Sequence, residues 1–243
     1  MPKTVSKKEM KGDWGELKYA PAQGLLADVQ NLGRLSLPVI FNTMRILKRV
    51  NPGDCYYENY LGMLAKYGDS FMDIYQVIWN VGINLKPKRI LEIGSRTGIS
   101  LCQLLSSYID LSIVEKVACV DPFDQWTSPN LIRANLRALN LKPWDDKADI
   151  IPIKSEEYFE RAEGRFDYIL VDGDHTKPAA RQDLEGAHGL IEKGGIILFD
   201  DISTAPGECA LMDVWEDFKE SHKDDYSFAE FTNGKGAGWA IKL

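Results

Sequence analysis

Two short stretches end apolar runs with acids: Val171-Asp172-Gly173-Asp174-His175 and Phe199-Asp200-Asp201. Asp is common at such places because its side chain caps helices and turns. Asp174, just ahead of a helix expected from Pro178, fits that role. If Asp172, Asp200 and Asp201 meet in space, however, three carboxylates at close range repel unless a cation sits among them. An all-oxygen donor set suits a hard divalent ion, Mg²⁺ first, with Mn²⁺ or Ca²⁺ as alternatives. His175 follows Asp172 closely enough to share its surroundings, and histidine is the usual side chain for moving a proton near neutral pH. A hydroxyl with a pKa of about 10 or above is a poor nucleophile at neutral pH. A cation that lowers that pKa, beside a base that takes the proton, remedies this. His188, inside an expected helix, and His222, in the charged segment His222-Lys223-Asp224-Asp225, read as structural or solvated.

A third stretch, Leu91-Glu92-Ile93-Gly94-Ser95-Arg96-Thr97-Gly98-Ile99-Ser100, follows another apolar run. Glycines at 94 and 98 let the backbone turn tightly and approach a ligand at a helix N-terminus. The spacing is GxxxG, not the GxGxxG that cradles a dinucleotide pyrophosphate, and no Gly-Lys-Ser/Thr phosphate loop is present. A glycine turn preceded by an acid suits a ligand whose polar end is a cationic amino acid. The run Lys116–Val120 ends in Asp121, placed to accept hydrogen bonds from both hydroxyls of a ribose.

The elements that must position these residues follow a regular rhythm. Short apolar runs at Arg89–Ile93, Lys116–Val120, Ile150–Ile153, Tyr168–Val171 and Ile196–Phe199 alternate with helical stretches. Those stretches lie near Gly98–Tyr108, Pro129–Leu139, Glu156–Arg161 and Pro178–Lys193. This alternation predicts βαβ units and an open, mostly parallel α/β sheet. Gly194 and Gly195 read as the stop between the last of these helices and the fifth strand. Next come a helix from Glu208 to about His222, with Leu211, Met212, Trp215 and Phe218 on one face, and two final runs. The latter, Tyr226–Phe231 and Ala237–Leu243, flank the hairpin signal Thr232-Asn233-Gly234-Lys235-Gly236. Ahead of the sheet, Leu61, Leu64 and Ala65 form one helical stripe. Phe71, Ile74, Tyr75, Ile78 and Trp79 form a second. Leu35–Val50 looks helical after Pro38. Residues 1–55 read as a partly helical N-terminal extension and 56–243 as the main domain.

With 243 residues, 44% apolar and 27% charged, the chain can bury a sizeable core. Its net charge of −7 argues against a nucleic-acid partner, which would be held by Lys and Arg. Cys55, Cys102, Cys119 and Cys209 form no CxxC pair or zinc spacing and read as reduced thiols. No apolar h-region follows the basic start and no run approaches the ~18 residues of a membrane span. A cytoplasmic location without membrane attachment is expected. The apolar helices before Lys88 are compatible with a homodimer.

From about Phe71 to Leu243 the chain resembles the class I S-adenosylmethionine (SAM)-dependent methyltransferases. Glu92-Ile93-Gly94-Ser95-Arg96-Thr97-Gly98 is similar to that family's first motif, Asp121 to its ribose-binding acid, and the terminal hairpin to its reversed last strand. The resemblance implies a Rossmann-like open sheet of about seven strands, with helices on both faces. It also implies SAM contacts from Glu92, Gly94, Ser95, Gly98, Asp121 and Asp172, with Ser155 near the adenine. More loosely, Tyr67-Gly68-Asp69 would cap the methionine end.

In such a sheet the first, fourth and fifth strands are neighbours, about 5 Å apart, so Asp172 and the Asp200-Asp201 pair converge at the carboxyl edge. That set resembles the metal-dependent O-methyltransferases, both the catechol type and those acting on macrolide sugars. Asp172, Asp200 and Asp201 fall on their metal positions and His175 on the catalytic base. The catechol type has Asn in place of Asp201 and Lys in place of His175, which puts this chain nearer the sugar-methylating branch. The expected activity is metal-assisted methyl transfer from SAM to a hydroxyl of a small molecule, a sugar or a phenol. Competing readings are a metal-free N-methyltransferase, an NAD-dependent oxidoreductase and a non-catalytic SAM-binding module. The missing GxGxxG and the final hairpin count against the oxidoreductase.

Overall fold

A computed structural model describes residues 20–50, 57–68, 72–123, 127–203 and 210–243. Seven strands make one sheet in the order β3-β2-β1-β4-β5-β7-β6. The strands are β1 (Arg89–Ile93), β2 (Lys116–Val120), β3 (Asp149–Ile151), β4 (Phe166–Val171), β5 (Ile191–Asp200), β6 (Tyr226–Phe231) and β7 (Ala237–Lys242). The first five run parallel, whereas β7 lies antiparallel to both β5 and β6. This is the open α/β sheet with a reversed terminal hairpin that the alternating runs predict.

Side-chain alternation divides the core in two. Ile90, Cys119, Tyr168, Leu170 and Leu198 point to one face, which is covered by α1 (Ala20–Val50), α3 (Ile74–Asn84), α4 (Ile99–Ser106) and α5 (Pro129–Ala138). Leu91, Ile93, Ile169, Val171 and Phe199 point to the other, under α7 (Ser155–Arg161), α8 (Lys177–Leu190) and α9 (Met212–Ser221). Glu92 alternates with Leu91 and Ile93, so its carboxyl goes to the first face and is only 3% exposed.

The structure departs from the sequence reading at α8, α1 and α2. Helix α8 stops at Leu190 rather than Lys193, and the Gly194-Gly195 pair lies within β5. Ile191 already pairs with Phe166, and the register then shifts so that Ile196 pairs with Tyr168. Gly194, at φ 81°, supplies the left-handed backbone that this bulge requires. Helix α1 runs through Pro38 from Ala20; proline there removes one intrahelical donor without ending the helix. In α2 (Tyr57–Tyr67) the inward side is Tyr60 with Met63 and Leu64, while Leu61 is 38% exposed. The remaining helical stripe behaves as read: Ile74, Tyr75, Ile78 and Trp79 are buried. Phe71, Asp69, Cys55, Cys209 and the boundary at residue 55 lie outside the described residues, whereas Cys102 and Cys119 are buried free thiols. Among the described residues no helix is long and apolar enough to cross a membrane.

Helix α1 is tied to the far edge of the sheet. Ala22 N–H donates to the Ser227 hydroxyl at 3.2 Å, and Trp239 Nε1 donates to the Ala22 carbonyl at 3.2 Å. Ala22, Ile40, Met44 and Leu47 of this helix are buried in the same cluster as Ile78 and Trp239. Replacing Trp239 by Phe keeps most of the packing and removes the bond to α1. It should lower the unfolding free energy by about 1–2 kcal/mol in urea titration. Unchanged stability would mean that this bond does not help to dock α1.

Candidate active site

The carboxyl edge of β1 is shaped by close approach. Gly94 has φ 81°, and a Cβ there would collide with the Asp172 carbonyl at the end of β4. The backbones are joined at this point, with Asp172 N–H donating to the Ile93 carbonyl at 3.0 Å and Gly94 N–H to the Val120 carbonyl at 2.9 Å. Gly98, φ 72°, is the N-cap of α4, and a Cβ there would come within 2.9 Å of Ile132 Cγ2. From α5, the Asn135 amide donates to the Thr97 carbonyl at 2.9 Å and fixes the turn from outside. Ser95 is buried and its hydroxyl donates inward to the Glu92 carbonyl at 3.2 Å.

Asp121, at the end of β2, accepts from the Arg96 N–H at 2.8 Å and the Phe123 N–H at 2.7 Å, one on each oxygen. Each carboxylate oxygen has a second lone pair, so the acid still has acceptor capacity toward the crevice. Ser155 is the first residue of α7, with Lys154 as the N-cap. Nearby in α8, burial pushes the Asp183 carboxyl up to about 6, against a lowering influence of the Ser155 side chain.

The acids of the second crevice wall come together only in part. Asp172, His175 and Asp201 each present a donor atom within 4.8 Å of the others. His175 Nε2 lies 3.4 Å from Asp172 Oδ1 and 3.1 Å from Asp201 Oδ2. Asp200 does not belong to this trio: it sits one residue earlier, still paired with Ala237 in the sheet. The chain then turns at Asp201, whose φ of 62° is a left-handed conformation that Asp tolerates better than most residues. That turn directs the Asp201 side chain, fully buried, toward His175. Asp174 accepts from the Thr176 N–H at 2.8 Å, the turn-capping role expected of it.

Two groups at this wall escaped the sequence reading. Lys235, in the hairpin turn, places its Nζ 3.2 Å from Asp201 Oδ1 and 3.4 Å from Oδ2. Asp73 caps α3 through a capping box with Gln76, accepting from the Tyr75 N–H at 3.0 Å. The spacing Asp-x-x-Gln was a legible signal for the cap. Nothing local marks Lys235, which reaches the site only because the hairpin folds back.

The electrostatics reflect crowding. Desolvation first, then Asp172 and Asp201, hold the Asp200 carboxyl well above the usual range. Asp172 is raised by desolvation and by Asp201, against the pull of its bond to His175. Burial pushes Asp73 up to about 6 and Glu92, with help from Asp172, up to about 8. His175 is raised above its ordinary value by its bond to Asp172, opposed by burial and assisted by Asp201.

With this geometry in place, similarity to known proteins is informative. Residues 91–202 match the family model described as "Methyltransferase domain". This stretch is similar to methyltransferase domains. It runs from within β1 to just past Asp201, and so contains the glycine turn, Asp121 and the acidic wall. A 123-residue stretch is 27% identical to "Probable caffeoyl-CoA O-methyltransferase 3" of Dictyostelium discoideum, taking in 49% of this chain and 45% of that one. The match therefore spans about half the length of that curated relative. Among solved structures, the O-methyltransferase TomG from Streptomyces achromogenes, in complex with SAM, superposes with a TM-score of 0.55 at 15% identity, covering 78% of this chain and 90% of TomG. The O-methyltransferase from Bacillus cereus, in complex with SAH, gives 0.53 at 16% identity, covering 82% and 91%. The domain shares their Rossmann-like methyltransferase fold.

Two outcomes check this arrangement. Gly94→Ala forces a side chain into the Asp172 carbonyl at a left-handed φ and should cost about 2–4 kcal/mol. A shift of that size would appear in the urea midpoint, and a change below ~0.5 kcal/mol would contradict the close approach. Glu92 binds its proton more tightly folded than unfolded. Its contribution therefore stabilises below the ordinary Glu pKa and is lost as pH rises toward about 8. Wild-type stability should fall by a few kcal/mol over that window through this group, and Glu92→Gln should remove that part of the slope. Parallel pH profiles for the two proteins would mean that Glu92 is ionised in the fold.

Proposed function

We propose that this chain transfers the methyl group of SAM to a hydroxyl of a small molecule, of sugar or phenol type, with the help of a divalent cation. The observation that carries the reading is the trio Asp172, His175 and Asp201, gathered within 4.8 Å beside the glycine turn of a methyltransferase domain. The turn is compatible with SAM: Asp121 retains acceptor capacity, and Gly94 and Gly98 allow the close approach of Asp172 and Ile132 that shapes the loop. Glu92, Ser95, Ser155 and the backbone around Asp172 complete the proposed cofactor contacts. SAM supplies a methyl on a sulfonium, already activated, so the chain's task is alignment and exposure of a nucleophile.

The donor set also fits a hard cation. Asp172 and Asp201 offer carboxylate oxygens, with Asp200 behind them, and Asp201 Oδ1 is buried with no well-aligned hydrogen bond. A bound Mg²⁺ would lower the pKa of the acceptor hydroxyl. His175 takes the hydroxyl proton at Nε2, and Asp172 and Asp201, both within 3.4 Å of that nitrogen, stabilise the imidazolium. Lys235 supports a second reading: its ammonium already stands 3.2 Å from Asp201, so transfer without a metal would draw on this cation instead.

The test is SAH production from SAM over a panel of phenols and sugars, with and without EDTA and Mg²⁺. Turnover should need the cation. His175→Ala should lower kcat by about 10²–10⁴-fold while sparing SAM affinity. The rising limb of kcat against pH should lie above the usual imidazole pKa of about 6.5. EDTA-insensitive turnover would favour the Lys235 version, and failure to bind SAM would sink the methyltransferase reading altogether.

A further inference from the structure

At the opposite end of α8, far in sequence from Asp172, two histidines outside the proposed chemistry face each other. His188 lies in the last turn of α8, His222 is the C-cap of α9, and Asp225 precedes β6. The imidazole rings stack with centroids 4.1 Å apart and planes 29° from parallel. One nitrogen of each ring is already engaged. His188 Nδ1 is 2.8 Å from the Tyr226 hydroxyl, and His222 Nε2 is 3.2 and 3.3 Å from the two Glu185 oxygens. His188 Nε2 and His222 Nδ1 are the nitrogens left for a ligand, and the latter is 3.5 Å from Asp225 Oδ2. A donor atom from each of His188, His222 and Asp225 falls within 4.8 Å of the other two.

We propose that His188, His222 and Asp225 form a second metal site, built for a borderline transition cation such as Zn²⁺ rather than for Mg²⁺. Two imidazoles and a carboxylate are a donor set of that class, and Mg²⁺ prefers oxygen and water. Glu185, on the far nitrogen of His222, supplies the carboxylate that orients a ligating imidazole and raises its basicity. With the Tyr226 oxygen accepting from Nδ1–H, His188 would keep Nε2 as its unprotonated ligand nitrogen. Phe218, 4.6 Å from the His222 ring, and Tyr226, 5.7 Å from His188, pack against the two rings, which must rotate out of their stack for both nitrogens to face one ion. Lys242 is the opposing charge. Its ammonium is held on the carbonyls of His188 and Ile191 at 3.3 Å, and Glu185 and Asp225 oppose it. An ion here would cross-link α8 to the turn between α9 and β6. The proposal is independent of methyl transfer.

The full chain, in excess Mg²⁺, is titrated with Zn²⁺ by calorimetry and with Co²⁺ by visible absorption. Because the crevice trio also contains a histidine, the same titrations are run on His175→Ala. The site should persist in His175→Ala, with a Zn²⁺-dependent rise in Tm. Binding should weaken at least about 100-fold in His188→Ala and in His222→Ala. Glu185→Gln, a change at an exposed side chain that leaves the three ligands intact, should weaken Zn²⁺ by about 10–100-fold with unchanged circular dichroism. Equal Zn²⁺ affinity in wild type, His188→Ala and Glu185→Gln would overturn the proposal. So would a Co²⁺ spectrum that disappears only in His175→Ala.

Discussion

Asp73, Asp172, Asp200 and Asp201 bring four carboxyl groups to one corner of the sheet, where, among the described residues, His175 and Lys235 answer them. Asp200 and Asp201 are buried, Asp73 and Asp172 are half-buried, and each unpaired charge raises the cost of the next. A fold meets such a demand in three ways: by keeping protons on the acids, by supplying side-chain cations, or by binding an ion. The first is visible in the raised pKa of Asp200 and Asp73, and the second in the contacts of Lys235 and His175 with Asp201. The third is the proposed metal. Crowded carboxyls with raised pKa values and two side-chain cations are what the structure brings to this corner.

What holds the acids together against this repulsion is backbone geometry. The ends of β1 and β4 touch at Gly94 and Asp172, so nothing larger than glycine fits between them. Asp201 leaves the sheet in a left-handed turn, a local cost of order 1–3 kcal/mol for a residue with a side chain. The surrounding core must bear that cost, and Phe199, Ile202 and Leu211, all at 2% exposure or less, anchor the turn from beneath. The strain separates the fates of two adjacent aspartates. Asp200 continues the sheet and stays with the buried face, whereas Asp201 swings to His175.

That separation shows where the sequence was legible and where it was not. Strands β1 and β2 end where apolar runs end, because a parallel strand buried on both faces is mostly apolar. The glycine turn and the acids after each strand follow from the same punctuation. The stop of α8 was misplaced because Gly194-Gly195 serves a bulge inside β5 as readily as a helix end, and only pairing with Phe166 decides between them. Leu61 was assigned inward because helical spacing gives a stripe but not which of two adjacent stripes faces the core. The grouping of Asp201, rather than Asp200, with His175 depends on one φ angle that composition does not encode.

Lys235 is the clearest case of a site residue that only topology delivers. Strand β7 runs antiparallel to β5, so its first residue, Ala237, pairs with the last residue of β5, Asp200. The turn that precedes Ala237 must therefore lie at the carboxyl edge. A parallel last strand would begin at the opposite edge and carry the same lysine away from the crevice. The reversed hairpin is thus more than an edge to the sheet: it returns a cation to the corner where the carboxylates converge. Any ion entering that corner must displace the Lys235 ammonium from Asp201 or share the carboxylate with it, so the lysine would tune how tightly the crevice holds a metal.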